Sequence, residues 1–249
     1  MISISNLNKT YNKGRTNEIN ALHNVDLDIT AREFVVIVGS NGSGKSTLLN
    51  CIAGSVLPTS GQIFIDGAEV TSLPDYTRSR WVARVFQSPL AGTAPDLSIL
   101  DNFRLASLRT SSKKLSTGIT ASFKREVQDK ISSLGMGLEN NINQQMGTLS
   151  GGQRQALTLL MSVMDNCQLL LLDEPTAALD PRSAVVVMET ADKLIKDYGL
   201  TALLITHNMK EAFQYGNRII QMSEGGIIRD LSQQQKSALL HTDIYEWFG

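Results

Sequence analysis

The stretch that decides the fold covers residues 34–53 and reads FVVIVGSNGSGKSTLLNCIA. Its apolar start, 34–38, is typical of a buried strand, and its end, 47–53, has the composition of a helix. The segment between them fits the pattern G-x-x-x-x-G-K-[ST] of a phosphate-binding loop. Glycines there let successive backbone N–H groups point into one concavity, and the N-terminus of the following helix adds partial positive charge. The stretch therefore predicts a strand, a phosphate loop and a helix.

Nine consecutive residues of this loop are candidate ligands of a nucleotide. They are Gly39, Ser40, Asn41, Gly42, Ser43, Gly44, Lys45, Ser46 and Thr47. In loops of this kind, a lysine at the position of Lys45 reaches the β- and γ-phosphates, and a hydroxyl at the position of Ser46 ligates Mg²⁺. The alternative is a glycine-rich turn that a lysine happens to follow, but the flanking strand and helix favour the phosphate loop.

Length and composition describe an ordinary globular protein. The chain has 249 residues, of which 42% are hydrophobic and 19% are charged, so we expect one large domain or two small ones. A net charge of −1 argues against a general affinity for nucleic acid or anionic membranes. Cys51 and Cys167 lack metal-ligand spacing, which favours a reducing compartment without disulfides. We expect no signal peptide, and the apolar runs are shorter than the roughly 20 residues of a membrane-spanning helix.

Hydrophobic periodicity predicts strands towards both ends of the chain and helices in its middle. Residues 1–35 alternate as half-buried antiparallel strands do, and 88–166 carries helical patterns, clearest at 99–106 and 123–134. Strands that alternate with helices imply a parallel sheet buried on both faces, with the helical middle as an inserted lobe. The remaining predictions are a turn at 58–61, an exposed loop or weak helix at 108–120, strands at 62–67, 168–173 and 201–206, helices at 183–196, 209–215 and 232–248, and a hairpin over 218–229.

Two carboxylates end the buried strand at 168–173. A residue at the position of Asp173, at the phosphate edge of such a sheet, lies near Mg²⁺ directly or through water. Glu174 is then directed at the γ-phosphate, where a carboxylate can orient or deprotonate the attacking water. The alternative is a strand end whose carboxylates reach solvent, and the phosphate loop upstream argues against it.

A second glycine-rich segment, 150–153, precedes a helix predicted over 154–160. Ser150 suits a helix N-cap, and the two glycines that follow let a phosphate approach the backbone closely. The alternative is a glycine turn that only caps a helix. A second phosphate site so far along the chain has a natural use if it closes on the nucleotide of another copy of the protein.

With these motifs, the chain resembles the nucleotide-binding subunit of an ATP-binding cassette (ABC) transporter over about residues 2–229. Tyr11 stands where the family places an aromatic residue that stacks on adenine. The family's motifs follow in its order: the phosphate loop, Gln87 in VFQSP, the signature LSGGQ with Ser150, Gly151, Gly152 and Gln153, the strand that ends in Asp173 and Glu174, Asp180 in ALD, and His207 in ITHN.

The resemblance implies the α/β fold of a P-loop NTPase. Such a fold has a mixed parallel core sheet, an N-terminal antiparallel β subdomain and an inserted α-helical lobe. A single ABC ATPase domain would then cover 1–249. Its core with the β subdomain would lie at about 1–87 and 167–231, its helical lobe at about 88–166 and a C-terminal helix at 232–249.

The resemblance also implies ATP and Mg²⁺ as the ligands of the phosphate loop. Lys45 and the loop backbone would hold the phosphates. Ser46 and Gln87 would help to coordinate Mg²⁺, with Asp173 close by. Gln87 would in addition report the state of the nucleotide to a membrane partner.

The remaining motifs imply a composite catalytic site. Glu174 would be the general base, and His207 would contact the γ-phosphate and hold the geometry of the transition state. The signature residues 150–153 would meet the γ-phosphate of a second subunit, with Asp180 at the dimer contact. An isolated monomer is therefore expected to hydrolyse ATP poorly.

At the level of function, the resemblance implies an ATPase that energises transport, foremost import, of a small solute through a separate permease. The expected partners are a second copy of the chain in an ATP-sandwich dimer, the membrane permease and a solute-binding protein, without nucleic acid. The expected location is the cytoplasmic face of the inner membrane, where the permease holds the ATPase peripherally. The alternatives are the ATPase of a two-component exporter and a soluble ABC protein of assembly, repair or translation.

The segment after Gln87 departs from the family pattern. Residues 92–95 read GTAP, which most relatives lack, and the stretch that follows to residue 121 is long. Together with residues 148–161 and 215–218, this segment makes the chain resemble a bacterial subgroup that works with a permease and a solute-binding protein. Some members of the subgroup are linked to aromatic amino acid uptake. Because the helical lobe faces the permease in this family, residues 90–122 are expected to shape the docking surface. The alternative is loop drift without a role.

Overall fold

The computed structural model describes residues 1–109 and 118–239 and divides the chain into two compact units. The first unit contains 1–82, 168–174 and the described residues from 200 onward; the second contains the described residues of 83–167 together with 175–199. The domain limits inferred from the sequence stay a prediction. Among the helices of this part of the chain, none combines the length and apolar character that crossing a bilayer requires.

Strands and α-helices alternate along most of the described chain. Its strands are β1 Ile2–Tyr11, β2 Ile19–Ile29, β3 Phe34–Val38, β4 Ser60–Ile65, β5 Ala68–Glu69, β6 Val82–Val85, β7 Leu169–Asp173, β8 Thr201–Ile205, β9 Arg218–Ser223 and β10 Gly226–Leu231. Its α-helices are α1 Lys45–Ala53, α2 Asp75–Arg78, α3 Ile99–Ala106, α4 Ala121–Ser132, α5 Gly151–Ser162, α6 Pro181–Tyr198, α7 Met209–Gln214 and α8 Gln233–Ser237.

The N-terminal sheet is antiparallel and has the strand order β2-β1-β4-β5. In its middle strand, Ile2 pairs with Ile29 on one side and with Ile65 on the other. All three side chains are buried, as is that of Ile4 two positions further along β1. This alternation confirms the antiparallel β subdomain that the sequence predicts.

The turn predicted at 58–61 is wrong in its second half, because β4 already begins at Ser60. Gly61 lies within the strand at φ 93°, where a Cβ atom would come within 2.4 Å of the carbonyl oxygen of Asn6. The pairing register of β1 with β4 shifts between Ser5 and Asn8. The glycine therefore permits an irregularity inside a strand, which looks like a turn when only composition is read.

The second sheet is mixed, as predicted, with the strand order β10-β9-β3-β8-β7-β6. Strand β3 lies between β8 and β9 and is parallel to both, β7 is parallel to β8, and β10 is antiparallel to β9. The carboxyl ends of parallel strands meet at one edge. That edge receives the loop after β3, Asp173 at the end of β7 and His207 after β8.

Helix α1 anchors the phosphate loop to the core. Its residues Leu48, Leu49 and Ile52 are fully buried in the same cluster as Ile37 of β3 and Leu171 of β7. Truncation of such a side chain to alanine costs about 2–5 kcal/mol, so the helix cannot shift easily. The loop is thereby held between a buried strand and a buried helix.

In the second unit, the helix predicted at 99–106 is confirmed as α3, and the one predicted at 123–134 begins and ends two residues earlier, as α4. Phe103 of α3 and both Val127 and Ile131 of α4 are fully buried. Each helix begins at a side-chain N-cap, since Ser98 accepts a hydrogen bond from the N–H of Asp101 and Thr120 accepts one from the N–H of Phe123.

Five short elements were not predicted, namely β5, β6, α2 and two 3-10 helices at Leu138–Asn140 and Met146–Thr148. They are too short for a hydrophobic period to show in the sequence. Residues 110–117 of the loop or weak helix predicted at 108–120 lie outside the described residues. The same holds for the last predicted helix, 232–248, from residue 240 onward.

Candidate functional site

The loop after β3 is a tight cradle. Gly39 has a φ of 145°, and a Cβ atom there would lie 2.2 Å from the carbonyl oxygen of Met222. Gly44 has a φ of 99°, and a Cβ atom there would lie 2.6 Å from the carbonyl oxygen of Ala21. The carbonyl oxygen of Ser43 accepts a hydrogen bond from the N–H of Gly225 at 3.1 Å. Strand β2 and the β9–β10 hairpin thus press against the loop, and only glycine fits at these contacts.

Lys45 and Ser46 open helix α1 directly after this loop. The N-cap is Gly44, which has no side chain that could accept from the first N–H groups of the helix, so these groups are available to an anion. The Nζ atom of Lys45 donates to the carbonyl oxygens of Gly39 at 2.7 Å and Ser40 at 2.9 Å. The ammonium therefore lies in the concavity of the loop.

The pKa of Lys45 lies below its ordinary value because of burial, and the negative charges of Glu174 and Asp173 offset part of this shift. The carboxylates of Asp173 and Glu174 are thus close enough to act on the lysine electrostatically. Ser46 and Asp173 contribute hard oxygen donors, which suit Mg²⁺. Mg²⁺ at a phosphate loop takes only one or two protein ligands in addition to phosphates and water. The donor set therefore fits Mg²⁺, although the described residues contain no group of three or more His, Cys, Asp and Glu for a metal.

Glu174 and His207 meet at the carboxyl edge of the second sheet. Asp173 pairs with Ile205, and the N–H of Glu174 donates to the carbonyl oxygen of Ile205 at 3.0 Å. The Oε2 atom of Glu174 lies 3.1 Å from Nδ1 of His207. Glu174 is mostly buried, with 17% of its side chain exposed, whereas that of His207 is 58% exposed. A carboxylate beside an imidazole, next to an anion cradle, suits activation of water at a phosphate.

The signature segment begins helix α5 in the second unit. Ser150 and Gln153 form a capping box, in which each side chain accepts a hydrogen bond from the other residue's backbone N–H at 3.2 and 3.1 Å. Gly152 is buried, and a Cβ atom there would lie 2.5 Å from Ser183 of α6, so this glycine is required by packing. Gly151 is exposed and leaves the helix N-terminus open to an anion.

Three further predicted site residues have clear local settings. Gln87 is exposed after β6. Asp180 is the N-cap of α6, and hydrogen bonds from Ser183 hold the pKa of its carboxyl below the usual range. Tyr11 ends β1 with the ammonium of Lys9 4.9 Å from its ring centroid. The structure thus places Tyr11, the loop, Asp173, Glu174 and His207 in the first unit, and Gln87, the signature and Asp180 in the second.

Two buried side chains that sequence reasoning missed support the second-unit motifs. Arg154 donates to the carbonyl oxygens of Met146, Gly147 and Leu149, which precede the signature. Gln155 donates to the carbonyl oxygen of Phe86, next to Gln87, at 2.8 Å. Both are long polar residues directly before the apolar run of α5, and their position there was the available signal.

The comparisons with known proteins agree with this geometry. The model of the family described as ABC transporter matches residues 22–177. The chain is 39% identical to the tyrosine transport ATP-binding protein of Clostridioides difficile (strain R20291), over 100% of this chain and 98% of that protein. It is 32% identical to the phosphonates import ATP-binding protein PhnC of Lactococcus lactis subsp. cremoris (strain SK11), over 100% of both chains.

A solved structure extends the likeness to the fold. The dimeric post-hydrolysis structure of the ATP-binding cassette MJ0796 bound to ADP and Pi matches with a TM-score of 0.80 and 31% identity, over 94% of this chain and 99% of that one. The likeness therefore covers the phosphate loop, Glu174 and the signature segment. Since the family model covers more than half of the chain and the relatives match it over its full length, the chain belongs to the ABC transporter family and is an ATP-binding, ATP-hydrolysing member of it.

Proposed function

We propose that the chain energises the import of a small solute through a separate membrane permease. The observation that carries the proposal is the cradle of the phosphate loop beside the contact of Glu174 with His207. Support for import comes from relatives named as phosphonate import and tyrosine transport proteins. The ATPase would lie at the cytoplasmic face of the inner membrane, held there by the permease.

In this mechanism, the N-terminus of α1 and Lys45 bind and orient the phosphates of ATP. Ser46, Asp173 and Gln87 would hold Mg²⁺, which would supply positive charge beside the phosphates. Glu174 aligns the attacking water and accepts its proton at the carboxylate. His207, whose Nδ1 atom lies 3.1 Å from Oε2 of Glu174, contacts the γ-phosphate and holds this carboxylate in position relative to it.

The adenine would stack on Tyr11. The ring ends β1, and the ammonium of Lys9 lies 4.9 Å from its centroid. Stacking on an aromatic ring contributes about 1–3 kcal/mol per base. Stacking of this kind holds the base without reading its exocyclic groups.

The active unit is proposed to be a dimer in which the signature of one copy covers the nucleotide of the other. The related cassette MJ0796 is dimeric with ADP and Pi bound. Gly151 and the open N-terminus of α5 suit a γ-phosphate from the second copy. In Glu174→Gln, ATP binding should persist while hydrolysis stops, so ATP should convert monomers to dimers in size-exclusion chromatography. A variant that stays monomeric with saturating ATP would contradict the composite site.

The permease is proposed to dock on the second unit at a cavity of about 380 Å³. The cavity is lined by residues 92–94 of the GTAP insertion, by Leu105 and by Arg84 and Arg109. Leu90 and Leu105 beside it are 56% and 54% exposed, so the surface offers apolar contacts that a partner helix can bury. This favours a docking role for residues 90–122 over loop drift.

The solute is proposed to be an aromatic amino acid, delivered to the permease by a solute-binding protein. The support is the relative named for tyrosine transport, which matches the chain from end to end. Co-purification of the native complex and reconstitution into vesicles tests this. Tyrosine should stimulate ATP hydrolysis and accumulate on the side of the membrane where the ATPase lies, opposite to the binding protein. ATP-driven movement in the opposite direction would identify an exporter instead.

A further inference from the structure

A hydrogen-bonded cluster of three residues surrounds His207 in the first unit. The hydroxyl of Thr206 donates to Oε2 of Glu211 at 2.6 Å, and Nδ2 of Asn208 donates to Oε1 of Glu211 at 3.4 Å. Thr206 is 2% exposed and Glu211 is 6% exposed. One buried carboxylate therefore contacts both sequence neighbours of His207.

Backbone hydrogen bonds tighten the same turn. The N–H of Asn208 donates to Oγ1 of Thr206 at 3.0 Å, and Oδ1 of Asn208 accepts from the N–H of Glu211 at 3.4 Å as the N-cap of α7. The N–H of Thr206 donates to the carbonyl oxygen of Ile37 at 3.4 Å, in the strand that leads to the phosphate loop. The peptide that carries His207 is thus held on both sides.

The side chain of His207 depends on this turn for its position. It is 58% exposed and lies 3.1 Å from Glu174, so packing around the imidazole is sparse. An exposed ring is fixed chiefly by the backbone that carries it. In a catalytic site, displacement of a reacting group by 1 Å can cost about 10²-fold in rate.

We infer that Glu211 is a positioning residue, which fixes Thr206 and Asn208 and thereby sets His207 against Glu174. This inference rests on the proposed roles of His207 and Glu174 in hydrolysis. A buried carboxylate is costly unless hydrogen bonds compensate for its lost hydration, and Thr206 and Asn208 supply such bonds. Glu211 acts on the reaction through His207 alone.

The first test replaces Glu211 by glutamine, which keeps the shape and removes the charge-assisted bond to Thr206. In Glu211→Gln, kcat should fall about tenfold or more, while the Kd for ATP stays within about twofold, because the phosphate loop is untouched. Glu189→Gln, at an exposed position of α6, is the matched control and should change neither quantity. An unchanged kcat in Glu211→Gln would overturn the inference.

A second measurement separates positioning from a general effect on folding. Added to His207→Ala, Glu211→Gln should lower the residual rate no further, because the effect passes through His207. In protein with ¹³C-labelled histidine, the single substitution Glu211→Gln should shift the ring signal of His207 relative to the wild type and leave that of His23 in place. An equal fall in rate with and without His207 would overturn the inference.

If Glu211→Gln does not fold, two variants of Thr206 decide. Thr206→Ser keeps a hydroxyl for the carboxylate and should lower kcat far less than Thr206→Val, which lacks it. Equal losses would overturn the inference. Failure of the proposed function looks different: near-normal hydrolysis by His207→Ala would remove the role of His207 itself.

Discussion

Glu174 has a backbone φ of 46°, in the left-handed region that glycine favours. For other residues such strain costs on the order of 1–3 kcal/mol and persists only where surrounding contacts impose it. Here the pairing of Asp173 with Ile205 and the bond from the N–H of Glu174 to the same residue impose it. The strain turns the carboxylate out of the strand and towards His207.

Removal of the ammonium at the phosphate loop should abolish most nucleotide binding. In Lys45→Ala, the Kd for ATP should rise about 10- to 100-fold, because a charge-assisted hydrogen bond contributes about 1.5–3 kcal/mol. Titration with a fluorescent ATP analogue measures this. Lys210→Ala, at an exposed position of α7, is the control and should bind normally. Equal affinity of both variants would refute the assignment of the loop.

At the level of the elements, helix α3 holds the GTAP insertion, residues 92–95, through the side chain of Asn102. Asn102 is 4% exposed and grips the segment before the helix from both directions. Its Oδ1 accepts from the N–H of Ala94 at 2.8 Å, and its Nδ2 donates to the carbonyl oxygens of Ala94 at 3.0 Å and Ser98 at 2.9 Å. The insertion is therefore an ordered wall of the proposed docking cavity.

Loss of this grip should destabilise the second unit. Asn102→Ala leaves the partly buried N–H and carbonyl of Ala94 without this partner, at a cost of about 1–3 kcal/mol in the free energy of unfolding. Urea denaturation measures it, with the exposed Asn143→Ala as control, for which a change within about 0.5 kcal/mol is expected. Matching curves for the two variants would show that the insertion is held by other contacts.

Helix α8 is attached to the core through a buried lysine. The Nζ atom of Lys236 donates to the carbonyl oxygens of Tyr215 and Gly216, just after α7. Burial lowers the pKa of Lys236 to about 8 from an ordinary value of 10.5. The unfolded chain therefore binds a proton more tightly than the folded one between these two pH values.

The sign of the resulting pH dependence follows from linkage. Wherever the unfolded state binds more protons, stability rises with pH, so the lysine's contribution is recovered as pH rises from about 8 to about 10.5 and lost as it falls. The free energy of unfolding should thus rise more steeply between pH 8 and 10 in the wild type than in Lys236→Met. Urea denaturation at several pH values measures this, and parallel pH curves would contradict it.

At the scale of the assembly, each hydrolysis site is proposed to need parts from two copies. The phosphate loop, Glu174 and His207 come from one copy and the signature from the other. The signature glycine Gly152 is occupied with packing against Ser183, which leaves Ser150 and Gly151 to face outward. Such an arrangement makes the rate depend on protein concentration.

Complementation between two inactive chains tests the composite site. Lys45→Ala and Ser150→Arg should each hydrolyse ATP very slowly, whereas a mixture should recover activity, because a mixed dimer has one intact site. With random pairing and independent sites, about a quarter of the wild-type rate is expected. Mixing Lys45→Ala with the double variant Lys45→Ala/Ser150→Arg restores no site and is the control. A mixture no faster than its components would refute sharing.

Much of the fold was predictable because its signals are local. The buried strand and helix around the phosphate loop, the helical spacing of Phe103, Val127 and Ile131, and the N-cap at Ser150 all depend on neighbouring residues. Failures occurred where local composition and long-range contact disagree. Gly61 looks like a turn residue but lies in a strand, since only glycine fits beside Asn6.

The order of the motifs along the chain sufficed to show the resemblance to ABC ATPases, because each motif is a short segment of consecutive residues that can be recognised in the sequence alone. The contact of Glu174 with His207, the cluster of Thr206, Asn208 and Glu211, and the packing of Gly152 on Ser183 emerged only from the folded chain. Neighbouring parallel strands bring Glu174 and His207 together, and the packing of α5 on α6 does so for Gly152 and Ser183. Sequence neighbours do not encode these two contacts, since they depend on which elements lie side by side. The cluster around Glu211 is local, but its hydrogen bonds depend on the turn between β8 and α7.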